Sequence, residues 1–276
     1  MAEKEKTGGR EDGQAMSFWT HLEELRGHLI RSALAVFLLA IGAFIAKDII
    51  FDFVILAPKE PYFITNRAFC YLAEMISAPA LCINKIPVQI INIELAGQFK
   101  THIIVSLIVG IIVAFPFILW EFWKFIKPAL HPRERANSRG AVLVTSLLFI
   151  SGVCFSYFLI APLTINFLGS YQVSSMVANQ IALRSYITTV TMVTFATGIV
   201  FELPVIVYFL SRVGLLTPEF MKKNRRTAFI LIIALSAIIT PPDIFSQILV
   251  GIPLYVLYEI SIGISKRVNQ QREEEV

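Results

Sequence analysis

Six apolar runs decide what this chain can fold into. A helix needs about 20 predominantly apolar residues to cross the ~30 Å hydrocarbon core of a bilayer. Runs at 29–46, 99–120, 141–161 and 187–211 meet or approach that length with almost no charge, and runs at 228–240 and 244–264 follow. Composition agrees: 56% of residues are hydrophobic, 16% are charged and the mean hydropathy is +0.69, whereas a soluble domain carries about a quarter charged residues. The chain reads as an all-α membrane protein with six transmembrane helices. Residues 1–28 contain no apolar h-region, so no cleavable signal peptide is expected. Residues 1–16 are polar and are expected to be disordered.

The net charge of +4 and pI of about 9.0 do not point to nucleic acid, because the positive charges sit beside the apolar runs, as in membrane proteins. Lys4, Lys6, Arg10 and Arg26 precede the first run. Lys124, Lys127, Arg133, Arg135 and Arg139 follow the second. Arg212, Lys222, Lys223, Arg225 and Arg226 follow the fourth, and Lys266, Arg267 and Arg272 close the chain. The alternate loops hold only Lys59, Arg67, Lys85 and Arg184. The positive-inside rule then puts both termini in the cytoplasm, with residues 17–265 as the membrane domain and 266–276 as a cytoplasmic tail. Phe115, Phe117, Trp120, Phe122, Trp123 and Phe125 read as an aromatic belt at the cytoplasmic interface. The last two helices are expected to be short. Residues 228–240 give about 20 Å of helix, and the uninterrupted apolar part of the sixth run is only 248–258, so the bilayer should thin around them.

The outward segment 48–98 contains Pro58, Pro61, Pro79 and Pro87, and reads as an ordered external cap. Cys70 and Cys82 within it meet an oxidising compartment, which favours a disulfide over two buried thiols. Cys154 lies inside the third run and reads as a small apolar filler.

Polar groups stand out where they are costly. Glu202, two residues before Pro204, falls near the bilayer midplane, where a carboxylate facing lipid costs at least ~2.5–3.5 kcal/mol. A functional role is the default reading, and a buried structural carboxyl is the alternative. Asp243, after Pro241 and Pro242, suits an N-cap. Glu259 suits pairing with Lys266 or a cytoplasmic basic loop. Glu134 lies among arginines and reads alone as a solvated charge. The opening stretch 17–31 carries Phe18, Leu22, Leu25 and Leu29 on one stripe, with Glu23, Glu24, Arg26 and His28 on the other faces. That pattern suits an interfacial helix. No metalloprotease, serine-hydrolase or Walker pattern occurs, and the four histidines have no ligand spacing with the cysteines. The chain therefore reads as no enzyme, without metal or cofactor.

Four motifs in order resemble the TatC family, the receptor subunit of the twin-arginine protein translocase: His21-Leu22-Glu23-Glu24-Leu25-Arg26; Phe125-Ile126-Lys127-Pro128-Ala129-Leu130 with Glu134-Arg135; Phe201-Glu202-Leu203-Pro204; and Thr240-Pro241-Pro242-Asp243-Ile244-Phe245-Ser246-Gln247. The resemblance covers residues 17 to 266. It implies a concave bowl of six helices in the inner membrane, which recognises twin-arginine signal peptides of folded precursors. It also implies assembly with small single-span Tat subunits of the A and B types, and self-association. By the same resemblance Glu24 and Glu134 are the binding carboxylates, and Arg26, Phe125, Glu202 and Asp243 match positions linked to recognition or assembly. Arg26 and Phe125 are assigned to signal-peptide binding, while Glu202 and Asp243, with Gln247 and Glu259 added from their own place in the sixth run, form an intramembrane polar or partner-facing set. Gly27-His28 replaces the basic residues frequent after the first motif, and His131-Pro132 stands where an aromatic is frequent. The external segment is larger than in typical members. The competing reading is an ion-coupled secondary transporter built on Glu202 beside Pro204.

Overall fold

The computed structural model describes residues 18–85, 88–126, 138–174, 176, 179–240 and 244–273. The first run forms α1, Phe18–Ile45. A π-helical turn Ile49–Ile55, a 3-10 turn Ala57–Lys59, helix α2 Ile64–Met75 and a 3-10 turn Pro79–Leu81 build the cap. Helix α3 spans Gly97–Ile126. The third run is α4 Ser138–Phe155, a π stretch Ser156–Ile160 and α5 Ala161–Ser170. The fourth is α6 Leu183–Val200 and α7 Leu203–Arg212, and a short helix α8, Pro218–Lys223, precedes α9 Arg225–Ile239 and α10 Ile244–Glu273. The β structure among the described residues is one parallel pairing, β1 Ile90–Ile91 with β2 Ile181–Ala182.

Five of these assemblies are long and apolar enough to cross a membrane: Leu22–Ile45, Gly97–Ile126, Gly140–Ser170, Leu183–Arg212 and Ser246–Arg272. The protein is thus an all-α membrane protein, and its large exposed side chains, such as Leu29, Phe37, Ile45 and Ile238, are those of a lipid-facing surface. Helix α9, at 15 residues, reaches about 22 Å and is short, as the sequence indicates. The last helix departs from expectation. It is 30 residues long and runs unbroken through Glu259, Lys266 and Arg267. Within it the Glu259 carboxylate accepts from Arg225 Nη2 at 2.7 Å, a pairing with the basic segment after the fourth run, and from the Tyr255 hydroxyl at 3.1 Å. The tail expected from 266 is therefore helical as far as Glu273. The third element also outruns the expected 141–161. Pro162 sits in the first turn of α5, where its missing N–H costs little, and the chain continues as helix to Ser170.

Helices α1 and α3 lie antiparallel. Phe44 stacks on His102 with ring centroids 3.9 Å apart, Gly110 faces Val36 and Ala40, and His28 meets Glu121. Helix α10 packs on α7 and α9, and α4 on α6, around a core including Ile160, Phe201, Val250 and Leu254. The aromatic cluster is split rather than a uniform belt. Trp120 and Phe122 are exposed, but Trp123 is buried against Phe209 at 5.3 Å, and Phe115 stacks on Phe149 at 3.5 Å. The helical period turns alternate members inward, and the neighbouring helices give them partners.

The cap is clamped to the outer ends of the helices by amides. Asn66, fully buried, donates to the carbonyls of Pro58 at 3.0 Å and Glu60 at 2.7 Å. Asn84 donates to Asn66 Oδ1 at 3.1 Å and to the Pro162 carbonyl at 3.0 Å, and its backbone N–H reaches Asn166 Oδ1. Asn84 has φ 48°, a left-handed conformation that asparagine tolerates. Tyr186 donates to the Ile55 carbonyl at 2.9 Å, and a disulfide joins Cys70 to Cys82. Removing Asn66 strands buried polar groups, at about 1–3 kcal/mol each. Asn66→Ala is expected to speed limited proteolysis between residues 60 and 90 while the spans stay protected. Unchanged cleavage would show that the disulfide alone holds the cap.

Candidate functional site

Two helix ends meet at the face opposite the cap. Helix α1 presents Glu24, Arg26, His28 and Arg31, and α3 presents Glu121, Lys124 and Phe125. Continuing the antiparallel register by one turn beyond His28 and Glu121 sets Glu24 at the level of Phe125. Glu121 is 2% exposed and has donors on both oxygens. His28 Nδ1 lies 2.7 Å and Arg31 Nε 2.9 Å from Oε2, and Lys124 Nζ lies 2.8 Å from Oε1. A carboxylate can only accept, so this contact assigns His28 Nδ1 as the donor, and Arg31 Nη2 lies 3.1 Å from the same nitrogen. A buried carboxylate is tolerable only when so satisfied, and this one fastens α1 to α3. Arg31 and Lys124 remain half exposed, and Lys124 lies over the Trp120 ring, 5.5 Å from its centroid.

Glu24 is half buried, and its Oε2 is shielded from solvent without a hydrogen-bond partner among the described residues. Arg26 is exposed, and Phe125 is half buried with its ring edge-on to His28 at 6.2 Å. Glu134 lies outside the described residues, on the segment that directly follows α3. His28, which the sequence pattern sets on a polar face, is buried at 8%, because Glu121 supplies it with a partner. Glu121 is the site residue that the sequence reading passes over. Its signal was available: a carboxylate at the end of one apolar run and Arg31 at the start of another, both at the same expected membrane face.

The second polar locus is Glu202. It sits at the break between α6 and α7, with Pro204 in the first turn of α7. It is 8% exposed, and neither carboxylate oxygen has a side-chain partner among the described residues. The surrounding wall is tight, since a Cβ on Gly152 would lie 2.7 Å from the Phe201 ring and 3.0 Å from the Gly198 backbone. Gln247 lies elsewhere, exposed and donating to the Ile233 carbonyl at 3.2 Å. Glu259 ties α9 to α10 through Arg225, and Asp243 lies outside the described residues. The intramembrane set is therefore not one cluster among the described residues. Glu202, Gln247 and Glu259 stand at three separate places. The described residues also hold no group of histidine, cysteine and carboxylate side chains arranged for a metal.

Comparison with known proteins gives a consistent result. A family model described as "TatC: Sec-independent protein translocase protein (TatC)" matches residues 20–253. The chain is 40% identical over 259 residues to the Sec-independent protein translocase protein TatC of Blattabacterium sp. subsp. Periplaneta americana (strain BPLAN), covering 93% of this chain and 97% of that one. It is 34% identical over 261 residues to TatC of Aquifex aeolicus (strain VF5), covering 94% and 98%. Two crystal structures titled as the twin arginine translocase receptor TatC superpose. One has a TM-score of 0.63 at 33% identity, covering 90% of this chain and 99% of that one. The other, in DDM, has a TM-score of 0.68 at 32% identity, covering 89% and 99%.

Proposed function

We infer that this chain, which belongs to the TatC family of Sec-independent protein translocase proteins, is the signal-binding receptor of a twin-arginine translocase in the cytoplasmic membrane. It is a membrane-embedded protein-transport component and not an enzyme. Its partners are the twin-arginine signal peptides of folded precursors and small single-span subunits of the A and B types, with self-association in the assembled complex. The short α9 completes a six-span, bowl-shaped arrangement with both termini in the cytoplasm.

Glu24 and Glu134 receive the two arginines. The observation that carries this reading is the shielded, unpartnered Oε2 of Glu24, one helical turn from His28, whose ring meets Phe125: an acceptor without a donor, near the end of α3 that leads in sequence to Glu134. A guanidinium fork satisfies a carboxylate with two parallel bonds, which an ammonium cannot do. Arg26, exposed on the same helix end, orders the approach to Glu24. The test is site-specific crosslinking of a twin-arginine peptide to the 17–31 stretch, with a twin-lysine peptide as control. Equal crosslinking of both peptides would sink the reading.

Glu202 serves the partner side. Its desolvated carboxylate at a helix break suits a polar group on an incoming single-span helix or cargo segment. Glu202→Ala is expected to leave membrane abundance unchanged but to impair transport of a reporter precursor, and Glu202→Gln is expected to be milder, because an amide still hydrogen-bonds. Normal transport by Glu202→Ala would make Glu202 a structural carboxyl. Potential-driven uptake of a small solute into liposomes would instead favour the ion-coupled alternative.

A further inference from the structure

Glu24, His28 and Arg31 fall on one face of α1, at spacings of four and seven residues. The Arg31 guanidinium leans back along the helix, as helical side chains do. Its Nη2 would lie 3.9 Å from a Cβ built on Gly27, only about one turn, ~5.4 Å of rise, from the level of Glu24. Gly27 adds no side chain to obstruct that path. The chain thus carries, on the same face as its candidate arginine acceptor, a guanidinium of its own. Yet Glu24 Oε2 is unpartnered, while Arg31 Nε is bound to Glu121 Oε2 at 2.9 Å. Glu121 takes its charge partners from both helices and is itself almost fully buried, so water reaches the half-exposed Arg31 and Lys124 but hardly the carboxylate that holds them.

We propose that Glu121 is a positioning residue that sequesters Arg31, and so keeps Glu24 open to a guanidinium arriving on a partner polypeptide. Glu121 touches no ligand itself. It acts by removing the internal competitor, and the ligand class it protects is an arginine side chain. This rests on the reading that Glu24 receives an arginine. Without Glu121, Arg31 swings back along α1 and occupies Glu24, with His28 freed at the intervening position.

The experiment uses the full-length protein in lipid nanodiscs and a fluorescent twin-arginine signal peptide. Glu121→Gln keeps the volume and the hydrogen-bonding capacity but not the charge, and is expected to weaken binding roughly 3- to 10-fold. Adding Arg31→Gln is expected to restore most of that loss. A merely structural clasp predicts the reverse, because the double variant removes still more of the α1–α3 contact. A double variant that binds no better than Glu121→Gln, or a Glu121→Gln protein that binds like wild type, overturns the proposal. If Glu121→Gln does not accumulate, Arg31→Gln alone decides. Binding equal to or tighter than wild type supports sequestration, and weaker binding means that Arg31 assists rather than competes. A Glu24→Ala arm separates the two levels. If Glu24→Ala binds normally, the site reading and this proposal fall together. If it loses binding while Arg31→Gln gives no rescue, only the sequestration falls.

Discussion

Leucine at position 110 is expected to abolish accumulation of the folded protein. A Cβ on Gly110 would sit 2.8 Å from the backbone nitrogen of Ala40, 2.9 Å from its Cβ and 2.9 Å from the carbonyl of Val36. Two of the three obstacles are backbone atoms of α1, so no rotamer change relieves the overlap and the helices must separate. In a membrane there is no hydrophobic gain to hold them, because helix association rests on close packing and polar contacts. Overpacking typically costs about 1–3 kcal/mol and more where the site cannot yield. Separation at Gly110 would also loosen the Phe44–His102 stack on one side and the Glu121 cluster on the other. Gly42, on α1, has nothing within 4 Å of a built Cβ, and Gly42→Leu is expected to be tolerated. The check is membrane abundance and thermal unfolding in detergent for the two variants side by side. Equal behaviour would mean that α1 does not depend on its approach to α3.

The sequence shows the spans where physics leaves one solution. An apolar run of bilayer length must become a helix, so α1, α3, α4–α5 and α6–α7 overlap the first four runs. It shows less where tertiary partners change what a residue signals. The expected third span ends at 161, yet α5 continues to Ser170, where the Pro162 carbonyl and Asn166 Oδ1 accept from Asn84 of the cap. The sequence leaves Glu259 two partners, Lys266 or a basic loop, and only the packing of α9 on α10 selects Arg225. His28 and Glu121 illustrate the same limit at the site. Each is a polar residue near an interface, and only the antiparallel register of α1 and α3 turns them into a buried pair. Glu24 is singled out by its motif and its place on the polar side of α1, whereas its shielded oxygen follows from packing that no local pattern encodes. The cap was legible as ordered from its prolines and cysteines, but not its asparagine clamp, whose donors and acceptors lie far apart in the chain.

Loss of both proposed binding carboxylates is expected to have the second large effect. Each charge-assisted hydrogen bond contributes about 1.5–3 kcal/mol, or roughly 10- to 150-fold in affinity, and less where water competes. Glu24 Oε2 is shielded from water, so its share falls toward the upper part of that range. Arg133, Arg135 and Arg139 flank Glu134 in sequence and oppose a basic ligand, so little non-specific attraction remains once the carboxylates are gone. Glu24→Ala and Glu134→Ala should each weaken binding at unchanged abundance, and together they should remove the preference for arginine. The decisive measurement is equilibrium binding of labelled twin-arginine and twin-lysine signal peptides to the nanodisc-embedded protein and to its Glu24→Ala/Glu134→Ala variant. Wild type is expected to bind the arginine peptide at least about tenfold more tightly than the lysine peptide, and the double variant to bind both at the weak level of the lysine control. A double variant that still prefers the arginine peptide as strongly as wild type would contradict that expectation, and would place recognition elsewhere on the chain or on a partner.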